Sequence, residues 1–406
     1  MNAEPNREVA IFNAAVELPE SQRGAYLAEA CINDSVLRLR LEALLRVHEE
    51  AGAFMEPLGP EAQAPIAAGI PGLDLCSTLA PFELASGRIG RYKLLEPIGE
   101  GGCGVVYRAE QEGDVRRRVA LKVIKLGMDT RQVIARFEAE RQALALMHHP
   151  NIAQVFDAGA TETGRPYFVM ELIAGIPITR YCDENKLGTV ARLGLFVQVC
   201  QAIQHAHQKG IIHRDIKPSN VLVASQDGVP VPKIIDFGIA KATSDQPLTD
   251  KTLFTTFEQF IGTAAYMAPE QAKLSGLDID TRSDIYSLGV LLYELLTGKT
   301  PFEAKRLREA GLDEVRRIIQ QEEPLRPSTR FHTLEATEQT ALAKHRQCDP
   351  LKLVRLLRGD LDWIVMKALE KDRNRRYDTA NGLAMDVKRY LANEPVVACP
   401  PSSLLK

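Results

Sequence analysis

The chain has 406 residues, 45% of them apolar, with 50 basic against 53 acidic side chains and a net charge of −3. That length allows two or three domains with a sizeable core, and the near-neutral balance speaks against a nucleic-acid binder or an acidic tail. Seven cysteines stand at 31, 76, 103, 182, 200, 348 and 399 without a Cys-x-x-Cys pair, which argues against a disulfide framework or zinc module and for a reducing, cytoplasmic setting.

In chain order, Met1 to Pro5 lack the basic start and apolar core of a signal peptide. Residues 1–56 predict a helical region. Val9, Ile11, Phe12 and Val16 make one apolar face, and Val36, Leu37, Leu39, Leu41, Leu44, Leu45 and Val47 a second. Residues 57–90 are rich in Pro, Gly and Ala, break every periodicity and read as a flexible linker. From Tyr92 the pattern turns to strands: Tyr92 to Ile98, Val105 to Ala109, Arg118 to Ile124, Ile152 to Ala158 and Pro166 to Glu171. An amphipathic helix over Thr130 to Met147 interrupts them. Beyond Ile173 the signal is mostly helical, Leu193 to Lys209 most clearly. The most apolar stretch, Ser287 to Leu296, is interrupted by Tyr293 and Glu294 and falls short of the roughly 20 apolar residues of a membrane span. The expected architecture is α+β: a small β-rich lobe over 91–172, a larger helical lobe over 173–395 and a tail over 396–406, with a cleft near Met170 to Ile173.

Five motifs carry chemistry. Gly99-Glu100-Gly101-Gly102-Cys103-Gly104-Val105-Val106 joins two strands. Its glycines let backbone amides approach phosphate oxygens. A strand rather than a helix follows, which departs from the dinucleotide-binding version of this spacing. Lys122 stands in the apolar run Val119-Ala120-Leu121-Lys122; its charge calls for a carboxylate or an anion. Glu140 is the natural partner, with Glu138 and Glu171 as competitors. His213-Arg214-Asp215-Ile216-Lys217-Pro218-Ser219-Asn220 places a candidate base, a cation and an amide within eight residues. Asp236-Phe237-Gly238 adds a second acid after Lys233-Ile234-Ile235. One carboxylate and one amide suit magnesium, which takes its remaining ligands from phosphates and water. Gly262-Thr263-Ala264-Ala265-Tyr266-Met267-Ala268-Pro269-Glu270 comes last, after a long segment with Ser244, Thr249, Thr252, Thr255 and Thr256; a segment of that length without periodicity is usually functional or disordered. His213 is expected to pack against Phe237 rather than move a proton.

Together these motifs resemble the bacterial eukaryotic-like serine/threonine protein kinases, over roughly Arg91 to Leu391. The resemblance implies the two-lobed kinase fold, ATP and Mg2+, and protein substrates bearing Ser or Thr; charge and hydropathy lead to the expectation of no nucleic acid and no membrane span. It implies that Asp215 is the catalytic base, with Lys217 on the transferred group and Thr263 steadying both, and that Asn220 and Asp236 hold the metal. Lys122, paired with Glu140, would hold the α and β phosphates. The nucleotide would lie against Ile98, Gly99, Glu100, Gly101, Gly102, Cys103, Gly104, Val106, Ala120 and Leu222, with Met170 controlling the back pocket and Glu171 and Leu172 as the hinge. Glu270 would pair with Arg376, and Asp284 would brace the catalytic loop. Arg214 suggests regulation by phosphate on the threonine-bearing segment, including autophosphorylation. The resemblance leaves open a homodimer through the small lobe or the N-terminal helices.

Two features depart from the family pattern. Cys103 takes the tip of the phosphate loop, where an aromatic residue or Ser is usual. The stretch 303–360 is longer than expected; Arg316, Arg317 and the Lys344 to Arg358 region make it basic and helical, which reads as a solvated face or as a docking site. A nucleotide-binding scaffold without transfer would need a missing catalytic group. A small-molecule phosphotransferase would not need the Gly262 to Glu270 platform.

Overall fold

The structure, a computed structural model, describes residues 15, 23, 26–27, 30–31, 87–101, 104–113, 116–124, 147–237, 264–272 and 279–399. The chain divides into two units, Met1–Leu73 and Asp74–Lys406. In the first, Ala15, Leu27 and Cys31 are buried, and positions 15, 23, 26, 27 and 30 are helical. The remaining residues of the predicted helical region, most of the linker and most of the predicted helix over Thr130 to Met147 lie outside the described residues.

The second unit begins with a six-stranded sheet ordered β1-β2-β3-β4-β6-β5. Its strands are β1 (Arg88–Ile89), β2 (Tyr92–Gly101), β3 (Gly104–Gln111), β4 (Arg117–Ile124), β5 (Val155–Ala160) and β6 (Pro166–Glu171). Five strands were expected. The sixth, β1, lies at the end of the stretch read as linker: Arg88 and Ile89 pair with Lys93 and Tyr92. Glycines 87 and 90, both at positive φ, flank it, so a two-residue strand looks like a turn in sequence. The fourth expected strand starts later, at Val155, because Ile152 is drawn off into an isolated parallel bridge with Ile234. Tyr92, Tyr107, Ala109, Val119, Leu121, Val123 and Val169 form the core of this lobe. Gly104 is obligatory at the start of β3: a Cβ there would lie 2.1 Å from the Val123 carbonyl oxygen.

A small sheet, β7 (Ile176–Pro177), β8 (Val221–Gln226) and β9 (Val229–Ile234), opens the larger lobe. Against it pack α1 (Ile178–Glu184) and α2 (Thr189–Gln208), and α3 (Thr281–Thr297) packs on α2. Helix α2 starts four residues before the predicted Leu193, since Thr189 and Arg192 are themselves buried. Helix α3 is buried nearly all round, as a helix apolar on every face must be. Asp280 caps its start by accepting from the Arg282 amide, and Gly298 at φ 70° ends it.

The long stretch after Pro301 folds as α4 (Ala304–Glu309), α5 (Leu312–Gln321), α6 (Pro327–His332), α7 (Ala336–His345) and α8 (Pro350–Leu357). Its basic character is not all on the surface. Arg346 is 3% exposed and donates to the Leu295 and Leu296 carbonyls at the end of α3. Those carbonyls carry the negative end of the helix dipole. Burial, then the neighbouring Arg192 guanidinium, lower the pKa of Arg346 to about 9. Arg316 and Arg317 do face water, each paired with an acid one turn away, Asp313 and Glu314.

Helices α9 (Asp360–Ala368) and α10 (Ala380–Leu391) close the lobe. Asp386 on α10 is fully buried and accepts from the Tyr377 hydroxyl and the Val397 and Ala398 amides. The tail read as starting at 396 is therefore packed at its beginning, with Val396 5% exposed. Among the described residues, no helix is long and apolar enough to cross a membrane.

Candidate active site

The segment from His213 to Asn220 leaves α2 and is held from below by α3. Asp284, fully buried, accepts from the backbone amides of His213 and Arg214, both at 2.8 Å, and lies 2.7 Å from His207 Nε2. Two amides clamped by one carboxylate fix the loop and put Arg214 at φ 63°, in the left-handed region. The His213 ring lies 4.7 Å from that of Phe237 and its Nε2 is 3.2 Å from the Ile235 carbonyl. Burial pushes the His213 pKa down against the pull of Asp284. This is the packing role expected of it.

Past Ile216 the chain makes a 3-10 turn over Pro218–Asn220 and enters β8. Asn220 Nδ2 donates to the Asp215 carbonyl at 2.8 Å and to its carboxylate at 3.1 Å. Lys217 Nζ is 2.9 Å from the same carboxylate. The Ile235 amide donates to the Asn220 carbonyl, which ties this loop to the strand leading to Asp236. Asp236 sits at φ 57° and meets Lys122 Nζ at 2.8 Å. The structure thus brings Asp215, Lys217 and Asn220 together, and Lys122 onto Asp236.

Lys122 pairs here with Asp236; its expected partner Glu140 and the competitor Glu138 lie outside the described residues. The third candidate, Glu171, turns the other way and binds Lys233 at 3.0 Å. The oxygens available to a metal, one Asp236 carboxylate and one Asn220 amide oxygen, suit magnesium carried on phosphates. Among the described residues no three His, Cys, Asp or Glu side chains cluster as a stand-alone metal site.

The wall of the cleft comes from the small lobe. Gly99, Glu100 and Gly101 pair with Val106, Val105 and Gly104 across the glycine hairpin, and Val106 faces Lys122 across β3 and β4. Gly102 and Cys103 at its tip are outside the described residues. Ile98 is 43% exposed. Ala120 and Met170 are register partners on β4 and β6, Glu171 ends β6, Leu172 follows, and Leu222 lies in β8.

Beyond the 213–220 loop, residues 264–272 are anchored on α3. Arg376 donates two parallel bonds to Glu270, at 2.7 and 2.8 Å, and Ser283 Oγ donates a third at 2.7 Å. Burial alone would raise the Glu270 pKa, but the Arg376 and Ser283 bonds outweigh it and hold the carboxyl below its usual value. Gln271 Nε2 donates to the Arg214 carbonyl at 3.0 Å, so the 264–272 segment and the 213–220 loop share a bond. The Tyr266 hydroxyl donates to Glu294, whose pKa burial pushes up to about 7. Thr263, Gly262, Gly238 and the threonines at 249–256 are outside the described residues. Sequence reasoning missed His207, Gln271, Ser283, Glu294 and Lys233. Only Ser283 had a signal, as the immediate neighbour of Asp284.

A family model described as "Protein kinase domain" matches residues 92–386. Serine/threonine-protein kinase PknB of Mycobacterium tuberculosis is 36% identical over 311 residues, covering 75% of this chain and 44% of that protein. A probable serine/threonine-protein kinase of Streptomyces coelicolor, SCO3848, is 35% identical over 314 residues, 76% of this chain and 41% of that protein. Serine/threonine-protein kinase Pkn1 of Myxococcus xanthus is 40% identical over 223 residues, 54% of this chain and 31% of that protein. The chain thus spans less than half the length of these relatives. In fold, it resembles the crystal structure of the M. tuberculosis PknI kinase domain with a TM-score of 0.52 at 24% identity, over 75% of this chain and 97% of that one.

Proposed function

The chain belongs to the protein kinase family, and we propose that it is an ATP- and Mg2+-dependent serine/threonine protein kinase of bacterial signalling. One observation supports this reading above the others. Asp215 has its carboxylate gathered by Lys217 and Asn220, and the Asn220 carbonyl receives the amide of Ile235, the residue before Asp236, which holds Lys122. The proposed base, the two cations and the two residues proposed to hold the metal thus lie along one chain of contacts.

In this reading Asp215 accepts the proton of the substrate hydroxyl, and Lys217 balances charge on the transferred group. Lys122 steadies the α and β phosphates, and Asn220 and Asp236 would hold magnesium, which when bound would offset phosphate charge. Gly99 to Gly104 cover the phosphates, Val106, Ala120 and Leu222 sandwich the base, Met170 limits the back pocket, and the Glu171–Leu172 backbone meets the adenine edge. Residues 264–270 carry the peptide. Glu140 as the partner of Lys122, Thr263 as a brace for Asp215 and Lys217, and autophosphorylation between Thr249 and Thr256 belong to the same proposal.

The test is label transfer from γ-labelled ATP with Mg2+ to casein and to a mixed protein extract, with Asp215→Asn as control. Wild-type transfer to Ser and Thr is expected, and the variant should bind ATP while losing about 10²- to 10⁴-fold in rate. Near-normal transfer by Asp215→Asn would remove it from the base role. An unmodified 249–256 segment in a fully active enzyme would end the autophosphorylation proposal.

A further inference from the structure

Lys233 is a buried lysine for which the reading above has no use. It lies in β9, only 8% exposed, and is the register partner of Leu222 on β8. A lysine so placed costs free energy unless a carboxylate meets it, and an apolar residue would pack there without that cost. The carboxylate it meets is that of Glu171, at 3.0 Å, the last residue of β6. The same Glu171 oxygen accepts the Gln154 amide at 3.2 Å, while the Glu171 amide donates to the Gln154 carbonyl at 2.8 Å. The next residue along β9, Ile234, donates to the Asn151 carbonyl at 2.8 Å and accepts from the Ala153 amide at 2.9 Å. The loop at 151–154, which leads into β5, and the end of β6 at 171, where the chain leaves the small lobe, are therefore both fastened to one strand of the larger lobe. That strand ends at Ile234, two residues before Asp236.

We propose that Lys233 is a positioning residue for nucleotide binding. Its ammonium pins the Glu171 carboxylate against the larger lobe, and this sets the direction of the Glu171–Leu172 backbone that meets the adenine edge. The proposal rests on the kinase reading for the role of that backbone. Without Lys233, the Glu171 carboxylate, whose side chain is already 29% exposed, turns to water, and the hinge is held through backbone bonds alone.

The test uses the full chain with Lys233→Met and Lys233→Arg, ADP binding by calorimetry, transfer kinetics with ATP and casein, and melting temperature. Lys233→Met fills the same volume without the charge. It is expected to weaken ADP binding and raise KM for ATP by roughly tenfold, the scale of a small misplacement at a binding site. KM for casein and the melting temperature should stay near wild type, and Lys233→Arg should recover most of the loss. Unchanged ADP affinity in Lys233→Met overturns the proposal. So does a parallel loss of ADP affinity, casein KM and melting temperature, which would mark a purely structural lysine. A failure of Lys233→Arg to rescue at wild-type stability overturns it too. If the wild type binds ADP but transfers nothing, the kinase reading fails while the ADP measurements still decide the role of Lys233.

Discussion

Two sets of ion pairs in the larger unit behave as different devices. In the cleft, Lys122–Asp236 and Lys217–Asp215 each join one amine to one carboxylate oxygen, with side chains 16% and 26% exposed in the first pair and 23% and 16% in the second. On the scaffold side, Arg376 and Glu270 are 0% and 7% exposed and share two parallel bonds, with Ser283 as a further donor. A lysine ammonium reached by water can trade its carboxylate for a phosphate. A planar guanidinium locked in bidentate contact, out of water, cannot be exchanged without exposing a buried charge. Similar chemistry thus serves exchange in one place and permanence in the other, and depth of burial separates the two.

The sharpest way to break that contrast is to remove one cation from each set. Lys122→Met is expected to cut phosphoryl transfer by about 10²- to 10³-fold, the scale of one lost electrostatic contact. Its denaturation midpoint should stay close to wild type, because Asp236 can turn to water. Arg376→Met should do the reverse: it strands Glu270 and costs about 3–5 kcal/mol, read as a shift in the denaturant midpoint. If both variants lost stability equally, the distinction would not hold.

Glu294 sharpens the contrast from the side of protons. Its folded pKa is raised to about 7 by burial, above its unfolded value. Its contribution to stability is therefore fully present below the unfolded pKa and is lost as pH rises through about 7. Glu270, held low, contributes in the opposite sense: its share is present above the unfolded pKa and fades as pH falls through the folded one. Between pH 5 and 8 the wild type should lose melting temperature relative to Glu294→Gln, by a few degrees on the order expected for a domain of this size. Parallel curves for the two proteins would show that Glu294 does not titrate there. The smallest effect belongs to the surface: Arg306→Ala, which breaks an exposed pair with Glu322, should move the melting temperature by about 1 °C or less.

The proposed catalytic loop was legible because its chemistry is contiguous: Asp215, Lys217 and Asn220 lie within six residues and meet through local turns. The glycine hairpin was legible for the same reason. The Glu270–Arg376 pair spans 106 residues and could be anticipated only through the family pattern. The sequence places Glu171 as a competitor for Lys122 and as part of the hinge, and nothing local announces its bond to Lys233 across 62 residues. Arg346 reads in sequence as one charge of a basic stretch, a solvated face or a docking site, because sequence shows charge but not the carbonyls at a helix end that a guanidinium can reach. Burial decided these cases, and burial is a property of the assembled lobe.

Arg214 and Asp236 both hold left-handed backbone angles that glycine would adopt without strain. A library screened for heat resistance alone would be drawn towards glycine at these two positions, each change relieving about 1 kcal/mol or more of conformational strain before the flexibility glycine adds to the unfolded chain is counted. Such winners would shed the proposed metal-binding acid and the arginine next to the proposed base. Selection for robustness and selection for phosphoryl transfer therefore pull in opposite directions at the same two residues, and only the second keeps them as they are.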